Sequence, residues 1–517
     1  MAMNNEAEVS SRQMFDKNTL RRMHSNMFLP ALQRFRAELP PVRAEEVNPK
    51  LSVYVRKRPL FQKEADKGEF DTICALAPAG ENVSGSCVVH NCLFQADLKT
   101  PYVNETAFAF DGVFDENCTT EQVYDHTARD LVNHALHGGV SSLLMFGQTG
   151  SGKTHTLTGI EELTAHDLFS NELAQGSVVT FLEIAADKIY DLLAEGRPDV
   201  VLRADAKGNF VLPREAIALE VFSTEECLSI MRHAHKVRAT QSTDANDTSS
   251  RSHAICIIRF RSGGSLMLTD LAGSERSKDS MYHTKERQRE GAEINASLHA
   301  LKECIRSLAE ARGDNYGRRL GRGSPDTGKR AKLTTQNTGA NHIPFRASSL
   351  TKLMMEAFTS PNANLAVICT VSPCASDTEH SIGTLRTGFA LSGRPASAPY
   401  IVEKRRDDYF SSMRAQQGAE ARARHPKRWD APTLQQWLKT VQKGVFADVA
   451  GRLPANTTGA MFSRFGEQRL VQLCNHEQAG RRLYKLLRAE MDASNQAQKE
   501  NSSPSSATRP TSAMRRA

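Results

Sequence analysis

The stretch that most constrains this chain is GQTGSGKT, from Gly147 to Thr154. Its spacing of Gly, four residues, Gly, Lys and Thr is that of a phosphate-binding loop, and it follows the apolar run Ser142 to Phe146 and precedes a segment that can start a helix. Such a loop offers an anion its backbone N–H groups, the positive end of a helix dipole and the charge of Lys153, while Thr154 offers a hydroxyl to Mg²⁺. The motif therefore predicts a nucleoside triphosphate as the ligand.

Composition narrows the class of protein. A chain of 517 residues predicts two to four domains, and 39% hydrophobic with 24% charged residues allows a sizeable core. The ten cysteines show neither a CxxC pair nor zinc-ligand spacing, which predicts free thiols in a reducing compartment. We find no signal peptide and no apolar run of about 18 residues, so we expect a soluble intracellular protein without a membrane partner. The net charge of +7 favours an acidic partner.

Strand-like and helix-like segments alternate between residues 49 and 400, which predicts one α/β domain with a largely buried sheet. The predicted strands are Leu51 to Pro59, Ser142 to Phe146, Val178 to Ile184, Ala254 to Phe260, Leu266 to Gly273 and Leu365 to Pro373. The predicted helices are Glu121 to His137, Glu225 to Arg238 and Glu290 to Arg312. Gly313 to Asn341 is expected to be a flexible basic loop, and order returns at Ile343 to Phe358.

The flanking segments predict four further parts. Residues 1–48 read as a mobile arm to about residue 27 and a short amphipathic helix, Met27 to Leu39, for which packing on the domain and binding a partner are equally open. Residues 401–428 are expected to be a charged linker without coiled-coil heptads, 429–492 a small all-α bundle and 493–517 a disordered tail. The expected bundle core is Trp437, Leu438, Phe446, Leu470, Leu473 and Leu483.

Two further stretches supply groups that a hydrolytic site needs, because a phosphate cradle alone does not align a water molecule. NDTSSRSH, Asn246 to His253, offers hydroxyls, Arg251 and His253 in a loop before a predicted strand. DLAGSE, Asp270 to Glu275, ends a strand with an acid, and the N–H of Gly273 can donate to a γ-phosphate. The chain thus carries candidate sensors for the terminal phosphate.

VRKRP, GQTGSGKTH, NDTSSRSH and DLAGSE, in this order and at these separations, resemble the four nucleotide motifs of the kinesin motor domain over about residues 50 to 395. The resemblance implies a P-loop NTPase fold with a central, mostly β-sheet core flanked by helices, and a microtubule-stimulated ATPase that uses Mg²⁺. It implies an adenine border of Arg56, Arg58, Pro59 and His155, and a phosphate cradle of Gly147, Gln148, Thr149, Gly150, Ser151, Gly152 and Lys153. It places Thr154, Ser250 and, through water, Asp270 at Mg²⁺, and makes Ser249, Ser250, Arg251, Gly273 and Glu275 the catalytic set. In that set, Arg251 and Glu275 form a latch over the γ-phosphate.

FDGVFDE, TARDLV and REGAEINASLHALKECIRSL resemble the kinesin-13 group, which removes tubulin from microtubule ends. The resemblance implies tubulin as the partner, no nucleic acid, a cytoplasmic and cytoskeletal location that includes the spindle, and Lys302, Arg346 and Lys352 as microtubule contacts. Three positions depart from the group by losing a positive charge: Gln95-Ala96-Asp97 replaces its Lys-Val-Asp finger, and Ala296 and Ser349 replace lysines. The segment Arg312 to Lys332, with seven basic residues and two acids, net +5, is expected either to replace those contacts or to be a solvated insertion.

The sequence is also compatible with two rival functions: a walking kinesin, and a non-hydrolysing microtubule scaffold that recruits partners through its C-terminal bundle. The intact phosphate-sensing motifs disfavour the scaffold, and the lack of an NKxD stretch disfavours a GTPase. The bundle resembles a sterile alpha motif, which implies self-association or binding of a protein partner, with an unrelated helical bundle as the alternative.

Overall fold

The computed structural model describes residues 16–44, 50–97, 100–206, 210–212, 215–240, 251–275, 285–319, 343–392, 401–413, 415–416 and 425–502. The chain divides into two compact units, Met1–Leu93 with Asn104–Lys404, and Phe94–Val103 with Arg405–Ala517. Among the described helices, none is both long and apolar enough to cross a membrane. All ten cysteines are free, and nine of them are buried.

A mixed sheet forms the centre of the larger unit. The strands of the chain are β1 (Leu51–Lys57), β2 (Ile73–Ala75), β3 (Ser84–Phe94), β4 (Pro101–Phe114), β5 (Val140–Phe146), β6 (Ser177–Ala185), β7 (Lys188–Asp191), β8 (Asp199–Val200), β9 (Arg203–Ala204), β10 (Phe210–Val211), β11 (Leu219–Val221), β12 (His253–Arg259), β13 (Ser265–Asp270), β14 (Ala363–Val371) and β15 (Ile401–Arg406). The sheet order is β2-β3-β4-β1-β14-β5-β13-β12-β6-β7-β8. The central strands β1, β14, β5 and β13 are parallel, and β12 and β6 continue the sheet antiparallel. Because β5 and β14 are covered on both faces, nearly all of their residues are buried.

Helices cover both faces of this sheet. The helices of the described residues, of which α12 to α16 belong to the smaller unit, are α1 (Lys17–Met23), α2 (Ser25–Ala37), α3 (Gln62–Ala65), α4 (Thr120–Thr127), α5 (Arg129–Leu136), α6 (Lys153–Phe169), α7 (Thr224–Thr240), α8 (Lys285–Arg319), α9 (Ser349–Leu353), α10 (Met355–Thr359), α11 (Thr378–Leu391), α12 (Ala431–Thr440), α13 (Ala447–Arg452), α14 (Gly459–Phe462), α15 (Glu467–Cys474) and α16 (Glu477–Ser502). Helices α4 to α7 share one apolar layer with alternate strand residues such as Leu143, and α8 to α11 share the other layer with their neighbours such as Leu144. The α/β class predicted from the sequence is therefore confirmed.

The N-terminal helices are part of the larger unit. Phe28, Leu32 and Phe35 of α2 are fully buried, and the ring of Phe28 stacks on that of Phe70 with centroids 6.3 Å apart. The prediction of a mobile arm to residue 27 was wrong from Lys17 onwards, because α1 forms there and buries Arg21. The amphipathic helix predicted over Met27 to Leu39 is present as α2 and packs on the domain behind it.

Other boundaries differ from the sequence predictions. Helix α8 continues to Arg319, so the flexible loop predicted from Gly313 was wrong for residues 313–319, while residues 320–342 lie outside the described residues. The single helix predicted over Glu121 to His137 is two helices, α4 and α5. The predicted linker contains strand β15. The long strands β3 and β4 were missed.

The C-terminal helices α12 to α16 form a bundle with its own apolar core. Leu438, Phe446, Leu470 and Leu483 are fully buried, as predicted, while Trp437 and Leu473 pack against the core and are partly buried. Helix α16 extends to Ser502, so the prediction of disorder from residue 493 was wrong as far as that residue. A small all-α bundle is therefore present.

Candidate nucleotide site

The phosphate-loop motif and the DLAGSE motif begin at the same edge of the sheet. The phosphate loop follows β5, and Asp270 is the last residue of β13, where it pairs with Met145 of β5. Strand β1, which ends at Lys57, lies beyond β14 on the other side. Because the carboxyl ends of parallel strands share one edge, three segments distant in sequence meet at one crevice, the usual ligand position in such sheets.

Glycines allow the phosphate loop to wind tightly. Gly152, the residue before α6, has a φ of +102°, a left-handed conformation that side chains rarely adopt. A Cβ on Gly147 would lie 2.4 Å from the carbonyl oxygen of Thr370. The side chain of Lys153 is buried, and its Nζ donates a hydrogen bond to the carbonyl oxygen of Gln148 at 2.9 Å. The lysine is thus held beneath the loop, where a phosphate can accept from it.

Thr154 and Asp270 form the candidate magnesium site. The hydroxyl of Thr154 donates to Oδ2 of Asp270 at 2.7 Å, and Arg238 on α7 donates to the same oxygen at 2.8 Å. Oδ1 of Asp270 is buried and has no hydrogen-bond partner among the residues that the structure describes. Hydroxyl and carboxylate oxygens are the ligands that Mg²⁺ prefers, so the residues present fit this ion. Ser250, the third predicted ligand, lies outside the described residues.

Glu275 contacts the phosphate loop. Its Oε2 accepts from the backbone N–H of Thr149 at 3.0 Å, and its Oε1 accepts from the Thr149 hydroxyl. A Cβ on Gly273 would lie 2.4 Å from both carboxylate oxygens, which shows how closely this glycine approaches them. Arg251 is half-buried two residues before β12, and Ser249 lies outside the described part of the chain. The structure therefore places Glu275 and Gly273 beside the phosphate loop.

His253 connects the site to the long helix α8. Its Nδ1 accepts from the N–H of Ala272 at 3.0 Å, and its Nε2 lies 2.9 Å from the hydroxyl of Ser297 on α8. Complete burial, together with the charge of Arg238, lowers the pKa of His253 to about 3. The imidazole is thus neutral and carries its proton on Nε2, and it ties the loop after β13 to α8.

A cavity of about 350 Å³ lies beside the phosphate loop and includes the predicted adenine border. Arg56, Arg58, Pro59 and His155 all line it. Arg56 donates to the hydroxyls of Thr156 and Thr120 at 3.0 and 3.1 Å, which fixes its guanidinium group. The cavity wall also includes Lys57, Phe61, Glu116 and Cys118, which sequence reasoning did not assign. Phe61 lies two residues after the VRKRP motif and Glu116 is the last residue of FDGVFDE, and these positions are the signal that could have indicated them.

The predicted microtubule contacts lie away from the cavity wall. Lys302 on α8 is half-buried, with its Nζ 5.1 Å from the ring centroid of Phe146, the last residue of β5. Arg346 is exposed, and Lys352 on α9 is half-buried. Ser349 bonds Asp187 through its N–H at 2.7 Å and through its hydroxyl at 2.6 Å, so this position serves an internal contact.

The fold and the site together define a protein of the phosphate-loop class. Residues 56–392 match the kinesin motor domain, and the chain belongs to the kinesin family. It is 35% identical over 360 residues to diatom spindle kinesin-1 of Cylindrotheca fusiformis, and 34% identical over 365 residues to human kinesin-like protein KIF24. These matches span 67% and 66% of this chain but only 51% of the diatom protein and 24% of the human one.

Solved structures give the same fold. The KIF14 dimer in complex with a microtubule and AMP-PNP is 27% identical, with a TM-score of 0.50 over 66% of this chain and 93% of that one. The Kar3Vik1 motor and motor homology domain is also 27% identical, with a TM-score of 0.50 over 72% of this chain and 89% of that one. A fast kinesin at 23% identity and a TM-score of 0.52, covering 68% of this chain and 96% of its own, supports the fold alone.

Proposed function

We propose that this chain is a microtubule-stimulated ATPase of the kinesin-13 type, which couples ATP hydrolysis to removal of tubulin from microtubule ends. The observation that carries the ATPase part is the meeting of the phosphate-loop and DLAGSE motifs at one point. Thr154 bonds Asp270 at 2.7 Å, and Glu275 bonds Thr149 of the phosphate loop at 3.0 Å. A fold that served only as a scaffold would not need to hold all of these groups together.

The chemistry of such a site is positional and electrostatic. Lys153 and the loop N–H groups would bind the phosphates, Thr154 and, through water, Asp270 would hold Mg²⁺, and the N–H of Gly273 would donate to the terminal phosphate. When bound, Mg²⁺ neutralises charge on the phosphate oxygens. Glu275, together with Arg251, orients the attacking water. Ser249 and Ser250 complete the set in this proposal.

The kinesin-13 assignment rests on the motif resemblance and on the likeness to a spindle kinesin and to KIF24. The tubulin-facing surface would consist of α8, which is 35 residues long, with Lys302, Arg346 and Lys352. In the finger that follows β3, Asp97 accepts from the N–H of Thr100 at 2.8 Å and from its hydroxyl, so its carboxylate closes the turn. Because this finger lacks the group's lysine, we assign part of the electrostatic attraction for acidic tubulin tails to the basic segment Arg312 to Lys332.

The decisive experiment measures phosphate release with and without microtubules. We expect stimulation of the wild-type chain by microtubules and loss of turnover in Lys153→Ala and Glu275→Ala. Glu220→Ala, an exposed glutamate on β11, is the matched control and should retain full activity. Microtubule-stimulated phosphate release in Glu275→Ala would refute the role of that residue. If the wild-type chain itself shows no stimulated phosphate release, the non-hydrolysing scaffold is favoured.

Depolymerase and walking activities are separated by imaging labelled microtubules with ATP. Shrinkage from the ends and diffusion of the protein support the kinesin-13 type, whereas directed runs along the lattice support a walking kinesin. The C-terminal bundle, with α12 to α16, is proposed to be a sterile alpha motif that self-associates or binds a protein partner. A strictly monomeric bundle in sedimentation experiments would leave only the partner-binding role.

A further inference from the structure

The lining of the nucleotide cavity separates into a phosphate end and a remaining wall. The phosphate end is formed by the loop and the start of α6, from Thr149 to Thr156. The remaining wall comes from Arg56 to Pro59 and from Phe61, at and just after the end of β1, and from Glu116 and Cys118 after β4. A nucleotide whose phosphates occupy the loop can place its base against this second wall. Phe61 and Glu116 are two of the four residues of this wall that the sequence analysis did not assign.

Phe61 provides a flat apolar surface at the cavity. Its side chain is 45% exposed, although it is a large hydrophobic residue, and its ring centroid lies 4.7 Å from the guanidinium carbon of Arg58. Arg58 is itself fixed, since it pairs with both carboxylate oxygens of Glu64 at 2.7 and 2.8 Å and donates to the carbonyl oxygen of Gly150 at 2.8 Å. An aromatic ring held in this way is preorganised for stacking with a base.

Glu116 provides a hydrogen-bond acceptor that is paired with a buried cation. Its Oε2 accepts from Nζ of Lys57 at 2.8 Å, and Lys57 is only 3% exposed and also pairs with Asp71 at 2.7 Å. The Glu116 side chain is 36% exposed and faces the cavity that it lines. An ionised carboxylate accepts hydrogen bonds and donates none. The neighbouring Cys118 adds no competing charge, because burial raises the pKa of its thiol to about 11.

We propose that Phe61 and Glu116 select the base of the nucleotide: Phe61 stacks on it, and Glu116 accepts a hydrogen bond from the exocyclic amino group of adenine. Adenine carries an amino donor at the position where guanine and hypoxanthine carry an oxygen acceptor. A carboxylate at this position bonds the former and repels the latter. The inference rests on the proposed nucleotide-binding function and assigns a basis for its preference for ATP.

The test measures equilibrium binding by calorimetry with Mg²⁺ and three probes: ADP, inosine diphosphate, which differs from ADP at the six position of the base, and tripolyphosphate, which has no base. For the wild-type chain we expect ADP to bind at least about tenfold more tightly than inosine diphosphate, since hydrogen bonds to charged groups are the stronger kind. Glu116→Gln should reduce this ratio towards one, because an amide can either accept or donate.

Phe61→Ala should weaken ADP and inosine diphosphate alike, by about 5- to 150-fold, as expected for loss of one stacking partner. Phe61→Tyr should restore the affinity, since the aromatic face is kept. Tripolyphosphate should bind all variants equally, which also shows that each variant is folded. Phe222→Ala and Glu220→Gln are matched controls, since Phe222 is 48% exposed and neither residue lines the cavity.

The outcomes distinguish this inference from the proposed function. If the wild-type chain binds neither ADP nor tripolyphosphate, the proposed function itself fails. If both bind but the ratio of ADP to inosine diphosphate affinity is the same in the wild type and Glu116→Gln, the role of Glu116 is overturned. If Phe61→Ala leaves the ADP affinity unchanged, the stacking role is overturned.

Discussion

Arg21 on α1 is the residue whose replacement tests most directly whether the N-terminal helices belong to the motor unit. Its side chain is 1% exposed, although it carries a full charge. Nε donates to the carbonyl oxygen of Cys92 at 2.7 Å, and Nη1 donates to that of Ala375 at 3.0 Å. The two Nη groups also donate hydrogen bonds to the carboxylate oxygens of Glu379 on α11, at 2.8 and 2.6 Å. One guanidinium group therefore joins α1, β3 and α11.

The size of the effect follows from these contacts. Arg21→Met keeps the aliphatic volume but removes the hydrogen bonds that Arg21 donates to two carbonyl oxygens and to the Glu379 carboxylate. Breaking a buried ion pair by removing one partner costs about 3–5 kcal/mol. We expect the lower end, about 3 kcal/mol, because Glu379 is one-third exposed and keeps Lys17 at 2.7 Å.

The assay is urea unfolding followed by circular dichroism, since both tryptophans, Trp429 and Trp437, lie in the C-terminal bundle and their fluorescence reports on that unit. The matched control is Arg34→Met. Arg34 is 58% exposed and pairs with Glu38 four residues further along the chain, so its loss should cost less than about 0.5 kcal/mol. The free energy of unfolding should thus separate the two arginines clearly.

The pH dependence gives an independent check. Burial alone would raise the pKa of Glu379, but the hydrogen bonds and charge of Arg21 prevail and lower it to about 2. A carboxyl with a depressed pKa stabilises the fold fully above its unfolded pKa of about 4.3, and this contribution is lost as the pH falls towards 2. The difference in the free energy of unfolding between Arg21→Met and the wild type should therefore become smaller as the pH falls over this range. If Arg21→Met lowers the free energy of unfolding by less than about 1 kcal/mol at pH 7, the N-terminal helices contribute little to the stability of the larger unit.

Three further outcomes follow from the site. Asp270→Asn should weaken ADP binding about 10- to 100-fold in the presence of Mg²⁺ and much less in its absence, as calorimetry can measure. Gly152→Ala places a side chain at a φ of +102° and should cost about 1–3 kcal/mol in chemical unfolding. Because the pKa of His253 is lowered to about 3, its neutral form supports the fold above pH ~6.5, and stability falls below that value; His253→Asn should remove this part of the acid sensitivity in pH-dependent unfolding.

The sequence predicts the central strands well because of where they lie. Strands β5, β13 and β14 are covered by helices on both faces, so their residues form apolar runs that local pattern recognises. Strands β3 and β4 were missed because their stretches include Gly85, His90 and Asn104, which interrupt any simple alternation. The phosphate-loop and DLAGSE residues were found because each motif is local in sequence and has a fixed spacing.

The remaining features depend on contacts that no local pattern contains. Arg21 reads as an ordinary exposed charge, yet its partners stand 71 and 358 positions away. Arg238 lies on a helix whose sequence indicates no site, and it contacts Asp270 because α7 packs on α6 and β6. The base wall has the same origin, since Lys57 and Glu116 meet through the pairing of β1 with β4. The surroundings of these charged residues are thus created by tertiary contacts, which the spacing of residues in the sequence does not reveal.

The contact between Glu275 and Thr149 has a physical consequence for nucleotide binding. The carboxylate accepts from the same loop N–H group that a phosphate oxygen would accept from, and two anions cannot share that donor in a site of low dielectric. Binding of a triphosphate therefore requires Glu275 to leave Thr149. The loop that carries it is tied through Ala272 and His253 to Ser297 on α8, at 3.0 and 2.9 Å. The neutral imidazole thus connects the loop that carries Glu275 with the helix proposed to face tubulin.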